Sequence, residues 1–252
     1  METRSVSPAV KRIRVAGIPV DDLTDENFET VLLSLTLDRE LHQIVFLSLW
    51  DLMRARRDKT YRLCVERASL VIPVSRSILW GARFLRKTVP TRRMPFDFVI
   101  RFLGALETRG RSVYLLGADR KNLQNAEQNL RQTFPGVKMV GRCTGWYSKA
   151  MERDILTAMK KAAPDFVLVG PGIRGKDKWI YRKKKEFSRG VFIYSSSVMD
   201  IISGRRKKIS RETFLKGREF LPDLARRPWR VLRGLVYLYF GLLLLVYRIR
   251  KA

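Results

Sequence analysis

The chain has 252 residues, two cysteines and one histidine, with a hydrophobic fraction of 46% and a formal charge of +27. Cys64 and Cys143 are too few and too far apart for a disulfide framework or a zinc cluster, and one histidine excludes a His-rich metal site. The apolar fraction suffices for a folded core, while the charge demands anionic partners: nucleic acid, anionic lipid or phosphorylated small molecules.

The first eight residues, Met-Glu-Thr-Arg-Ser-Val-Ser-Pro, hold no apolar signal-peptide core, so export is not expected. Leu23-Thr24-Asp25-Glu26-Asn27 then reads as a helix start, with Thr24 as N-cap and Asn27 where a capping box prefers Glu or Gln. His42 has no accompanying nucleophile motif and reads as structural. Runs at 43–49, 69–73, 112–116, 137–141, 166–169 and 191–195 are near-continuously apolar, as in strands covered on both faces. Helices are predicted over 51–67, 75–86, 96–108, 121–133 and 148–161. This alternation predicts an α/β fold: a Rossmann-like, mostly parallel sheet with helices on both faces. Ser203-Gly204 and the basic run at 205–210 divide an α/β domain, residues 1–204, from a basic helical appendage, residues 205–252.

In such sheets ligands sit beyond the carboxyl ends of the strands. Three loops there stand out: Gly117-Ala118-Asp119, Gly170-Pro171-Gly172-Ile173-Arg174-Gly175-Lys176 and Ser195-Ser196-Ser197. The second matches G-x-G-x-x-G, but it lies late in the chain, Pro171 sits in its turn, and the next strand ends in serines rather than an acidic ribose ligand. A phosphate cradle fits it better than a dinucleotide site, from backbone N–H groups with Arg174 and Lys176.

The C-terminal quarter is basic through Arg226, Arg230 and Arg233 and then apolar from Gly234 to Tyr247. Fourteen apolar residues fall short of the roughly 20 that span a bilayer. Two readings stand: a helix lying in an anionic membrane interface, or one that packs on the body or on another subunit. The first predicts a peripheral protein on the cytoplasmic face of the cell membrane.

The segments Val15-Ala16-Gly17-Ile18-Pro19, Leu79-Trp80-Gly81-Ala82-Arg83-Phe84-Leu85, Leu115-Leu116-Gly117, Phe134-Pro135-Gly136-Val137, Gly145-Trp146-Tyr147 and Lys178-Trp179-Ile180 form a familiar set. With Pro228-Trp229-Arg230-Val231-Leu232-Arg233, they make the chain resemble the WecG/TagA/CpsF glycosyltransferases over about residues 13–233. That resemblance implies transfer of N-acetylmannosamine or a related sugar from a UDP-sugar donor to an undecaprenyl-diphosphate-linked acceptor at the cytoplasmic membrane. It also implies no tightly bound metal or other cofactor. Arg226, Arg230 and Arg233 would then contact the acceptor diphosphate and the membrane, and Arg92, Gly117, Gly172, Arg174, Lys176 and Asp200 would bind substrate. A homo-oligomer is compatible with it.

Several family positions differ. The family's P-D-G, whose Asp is the proposed general base, is Pro73-Val74-Ser75 here. Its T-x-N is Phe46-Leu47-Ser48, and its Q-E is Lys176-Asp177. Arg92 and Asp97 keep two positions of R-x-x-G-x-D, with Pro95 for Gly, and Asp200 keeps that of a late G-x-F-D. Valine cannot accept a proton. Asp97 is therefore the first candidate base and Asp119 the second, although Asp97 equally suits a helix N-terminus. Three functions follow: an active glycosyltransferase, a degenerate binding or regulatory subunit of the same fold, or, on charge alone, a nucleic-acid binder. No nucleic-acid-binding motif supports the last, and no nucleic-acid partner is expected.

Overall fold

The computed structural model describes residues 10–217 and 234–249. Six parallel strands form the main sheet: β3 (Leu41–Leu47), β4 (Leu70–Pro73), β5 (Ser112–Leu116), β6 (Lys138–Cys143), β7 (Phe166–Val169) and β8 (Gly190–Tyr194). Their spatial order is β4-β3-β8-β7-β5-β6. Every predicted strand is present, shifted by no more than two residues; the inner strands are apolar runs buried on both faces, whereas the edge strand β6 is partly exposed.

Side chains alternate between two layers. Ile44, Val113, Leu115, Val191 and Ile193 pack under α1 (Phe28–Leu37), α5 (Pro95–Glu107), α6 (Arg120–Thr133) and α9 (Ser196–Ile202). On the other face, Val45, Leu47 and Val71 meet α2 (Leu49–Arg57), α3 (Lys59–Glu66) and α4 (Arg76–Phe84). Tyr114, Leu116, Val167 and Phe192 meet α7 (Lys149–Ala162) and α8 (Asp177–Lys183) on that face. The connection from β5 leads outward to β6, whereas that from β7 leads back to β8. Their carboxyl ends are therefore a topological switch point.

An N-terminal hairpin, β1 (Lys11–Val15) and β2 (Ile18–Asp22), covers the β4 edge of the sheet. It was not predicted. Its signal is the pair Ala16-Gly17, whose φ values of 48 and 84 make the left-handed two-residue turn that right-twisted hairpins favour. Buried Asp21 takes two hydrogen bonds from Arg12, at 2.7 and 2.8 Å, and accepts one from the Val71 backbone N–H at 2.7 Å. One edge donor of β4 is thereby paired within the chain.

Two helix expectations are corrected. The helix predicted over 51–67 breaks at Asp58, which adopts an extended conformation and caps α3 by accepting from the Tyr61 N–H. Asp58 also meets Lys178 at 2.9 Å, and this tertiary contact holds the break. The first helix starts at Phe28, with Asn27 rather than Thr24 at its N-cap. Arg93 and Arg101 both grip Asp25, holding 24–27 as a turn.

The C-terminal apolar run forms α11 (Gly234–Ile249), following the short α10 (Arg211–Leu215) in the described chain. Among the described residues no helix is long and apolar enough to cross a membrane. One side of α11 packs on the body: Phe240, Leu243 and Leu244 are buried with the hairpin and α2–α4. The Tyr247 hydroxyl accepts from Arg56 at 2.9 Å. The opposite side, with Leu235, Leu238, Leu242 and Ile249, is exposed. The reading of a helix that packs on the body thus describes one side of α11. Arg226, Arg230 and Arg233 lie outside the described residues.

Candidate active site

A cavity of about 270 Å³ opens where β3, β4 and β8 end. Ser48, Val74, Ser75 and Ser197 line its sheet side, and Arg206, Lys208 and Phe214 close it from the chain that follows α9. Each residue is placed by the local fold. Ser48 accepts from Asp51 N–H as the N-cap of α2. The Ser75 hydroxyl accepts the Leu49 N–H at 3.1 Å, tying the ends of β3 and β4 together. Ser195 caps α9, and its hydroxyl lies 3.3 Å from that of Ser197.

Arg92 donates to the Val74 carbonyl at 2.8 Å and stacks on the Phe214 ring at 3.7 Å. It fixes the cavity wall behind Val74. Asp97 stands in the first turn of α5, half exposed, with Lys208 Nζ 2.7 Å from its Oδ1. Lys208 also lies over the Phe96 ring. A single lysine therefore links the candidate base to the cavity. Asp119 is spent differently: its carboxylate accepts from the Asn122 backbone N–H at 2.9 Å and caps α6. That hydrogen bond holds its carboxyl below the usual range, which lowers its basicity. Asp200 Oδ1 is buried without a hydrogen bond, and Arg205 is 3.9 Å away.

The glycine loops pack closely on one another. Gly117, at φ 119, would place a Cβ 2.8 Å from the Gly170 carbonyl carbon and the Pro171 oxygen. Gly172, at φ 87, would drive one into the Trp146 ring. The N–H groups of Ala118, Gly145 and Trp146 donate to neighbouring loop carbonyls, and those of Gly117 and Gly170 to the last residues of β6 and β5. These glycines let three loops press together at the switch point, so those five N–H groups are committed to the protein rather than to a phosphate. Exposed Arg174, with Gly172, faces a separate cavity of about 380 Å³ beside Trp179 and Glu152 on the α7–α8 side. Lys176 is exposed at the N-cap of α8, with φ 54. The single cradle expected from the sequence is divided between these places, because loop packing fills the space between them.

Asp177 escaped the sequence reading. Its Oδ1 is buried without a hydrogen bond, as is the hydroxyl of Tyr61. Burial, with the nearby Asp51 carboxylate, pushes the Asp177 carboxyl up to about 7. Its only sequence signal is the place of an acidic residue after Lys176 in the compared motif. His42 is at the opposite sheet edge, hydrogen-bonded to Ser69 and Asp38. Among the described residues no three His, Cys, Asp or Glu side chains group to hold a metal ion.

A parallel sheet with hydroxyls and cations at its carboxyl edge fits a phosphorylated substrate without naming one. Comparison with known proteins decides the family. The model of the glycosyl transferase WecG/TagA/CpsF family matches residues 13–252. The chain belongs to the WecG/TagA/CpsF family. One relative is the N-acetylglucosaminyldiphosphoundecaprenol N-acetyl-beta-D-mannosaminyltransferase of Bacillus subtilis strain 168. It is 21% identical over 177 residues, covering 70% of this chain and 68% of the relative. The proteins of the same name from Bacillus spizizenii strain W23 and Staphylococcus aureus strain NCTC 8325 are 19% identical over 154 residues. The match spans 59% and 60% of their respective lengths. Within this WecG/TagA/CpsF member the main sheet and the docked α11 fall inside the matched range, as does the hairpin from Ile13 onward.

Proposed function

We propose that this chain is a peripheral glycosyltransferase of the cytoplasmic membrane face. It moves a sugar of the N-acetylmannosamine type from a UDP-sugar to an undecaprenyl-diphosphate-linked acceptor in cell-envelope polysaccharide synthesis. The observation that carries this reading is the cavity at the ends of β3, β4 and β8, where serine hydroxyls meet Arg206 and Lys208 in a member of this family. The acceptor class follows the names of the relatives.

In the reaction, the acceptor hydroxyl attacks the anomeric carbon of the donor. The bond from that carbon to the diphosphate breaks, UDP leaves with the electron pair, and the hydroxyl proton passes to a base. Arg206 and Lys208 offset the charge that grows on the departing diphosphate, since fixed cations aimed at developing charge need little rearrangement. Asp97 is the base in this scheme. Transfer of Lys208 from Asp97 to the diphosphate frees that carboxylate as the donor binds. Arg92 and Asp200 shape the donor side, Gly117 and Gly172 hold its loops, and Arg174 and Lys176 add positive charge on the α8 side. Arg226, Arg230 and Arg233 of the appendage, residues 205–252, meet the acceptor diphosphate and the anionic surface.

One observation favours a second reading, a degenerate subunit that binds without turnover. Val74 presents an apolar side chain to the cavity where the resemblance calls for a carboxylate. The experiment that separates the two is UDP release with a lipid-diphosphate acceptor, screened over several UDP-sugars. Turnover with any of them supports the enzyme. UDP-sugar affinity by calorimetry without UDP release supports the degenerate subunit, and the absence of both removes the nucleotide-sugar reading.

A further inference from the structure

We propose that the apolar groove between α4 and α11 holds the isoprenoid tail of the acceptor. This rests on the acceptor being a polyprenyl diphosphate, as argued above. The groove encloses about 650 Å³ between Trp80 and Phe84 on one helix and Phe240, Leu244 and Leu245 on the other, with Gly241 on the α11 side. The α4 wall runs from Arg76 to Phe84, about 12 Å along the helix. That length suits the first few isoprene units of a chain. Trp80 is 68% exposed beside it, a large aromatic surface that the fold itself leaves open.

The position of Arg76 identifies the occupant. It is exposed at the first residue of α4, directly after Ser75, which lines the polar cavity. It donates to the Lys216 carbonyl at 3.1 Å, close to Phe214 of the same cavity wall, and it also lines the groove. Arg76 is thus the boundary between a polar chamber holding two further cations and an apolar trough. A molecule with a sugar, a diphosphate and a long apolar tail matches that order: sugar in the chamber, diphosphate at Arg76, tail along α4. A bilayer phospholipid carries a single phosphodiester and no sugar diphosphate to fill both Arg76 and the chamber. The outer face of α11, with Leu235, Leu238, Leu242 and Ile249, remains available to the membrane while the tail is bound.

Gly241 offers the test, because a Cβ built there meets nothing within 4 Å. Gly241→Phe fills the groove and replaces a poor helix former, while Gly241→Ala improves the helix without filling it. Binding of undecaprenyl diphosphate and of ethyl diphosphate to the full chain is measured by calorimetry in the same detergent, without any turnover. The proposal expects the preference for the long chain over the short to fall at least tenfold in Gly241→Phe and to persist in Gly241→Ala. If α11 comes loose in Gly241→Phe, Trp80→Glu on the α4 wall is expected to give the same loss. An unchanged preference in the folded variants overturns the proposal. So does an equal loss of binding to phosphatidylglycerol vesicles free of polyprenol, which would make the groove a bilayer contact. Sedimentation showing a wild-type dimer that Gly241→Phe dissociates would overturn it in favour of a second copy. Tail selectivity without UDP release would leave this inference standing while the enzymatic reading fails, and UDP release indifferent to Gly241→Phe would do the reverse.

Discussion

Lys208 Nζ lies 2.7 Å from Asp97 Oδ1, so the carboxylate proposed as base is held by a cation that also lines the substrate cavity. The two residues act as a unit in the proposed reaction. Asp97→Asn keeps size and hydrogen bonding but removes basicity, and kcat is expected to fall by about 10²–10⁴-fold. Lys208→Ala is expected to raise KM for the UDP-sugar as well, since it strips the cavity of one cation. Full kcat in Asp97→Asn, measured by UDP release, would remove Asp97 from the mechanism.

Val74→Asp introduces a carboxylate into the cavity wall. A degenerate chain is expected to gain UDP release from this change. In an enzyme already served by Asp97 it is expected to change kcat by less than about tenfold, a limit set by one redundant base. The same UDP assay reads both outcomes.

Asp177 gives a pH signature. Burial pushes its carboxyl up to about 7, from an ordinary value of 3.8. Between those values the unfolded chain has lost the proton and the folded chain keeps it, so stability falls as pH rises across that window and levels off above 7. Asp177→Asn is expected to flatten this slope. It should be neutral near pH 4 and stabilising by about 1–3 kcal/mol at pH 8, with partial exposure discounted. Urea denaturation at both pH values measures it, and parallel stability curves for the two proteins would contradict the assignment.

Asp21 and Arg12 clamp the hairpin to β4 through a buried pair. Removing only Asp21 leaves the Val71 N–H unpaired and Arg12 with only the Ala68 and Ser69 carbonyls. Asp21→Ala is expected to cost about 3–5 kcal/mol, as for other broken buried pairs. Thermal or urea denaturation checks it; a cost below about 1 kcal/mol would place this clamp with surface pairs.

Gly81 is the seat of α11: a Cβ there would stand 2.9 Å from the Phe240 ring and 3.1 Å from Val15. Gly81→Val is expected to unseat α11 while the sheet stays folded, seen as faster protease cleavage near Gly234 and unchanged far-UV strand signal. Lost packing of Phe240, Leu243 and Leu244 costs about 2 kcal/mol for each side chain fully exposed. Wild-type protection of this region in Gly81→Val would show that the helix finds another seat.

The main sheet was legible to within two residues, because its inner parallel strands are buried on both faces and so write themselves as runs such as Val113-Tyr114-Leu115-Leu116. Helix positions followed from the spacing between those runs, and family membership from motifs that survive at scattered positions. The break at Asp58, the clamp of Asp21 on β4 and the turn at 24–27 were not legible, since each depends on a partner distant in sequence: Lys178, Arg12 with Val71, Arg93 with Arg101. The glycine loop illustrates the same limit. G-x-G-x-x-G fixes where the backbone bends, but only the tertiary structure brings Gly117 against Gly170 and Pro171. Likewise, composition determined that residues 234–247 are apolar, and tertiary packing decided which side of that helix meets Gly81 and which side is left open. Local sequence sets backbone preference and hydrophobic pattern, whereas the identity of a neighbour across the fold is set by where the chain returns.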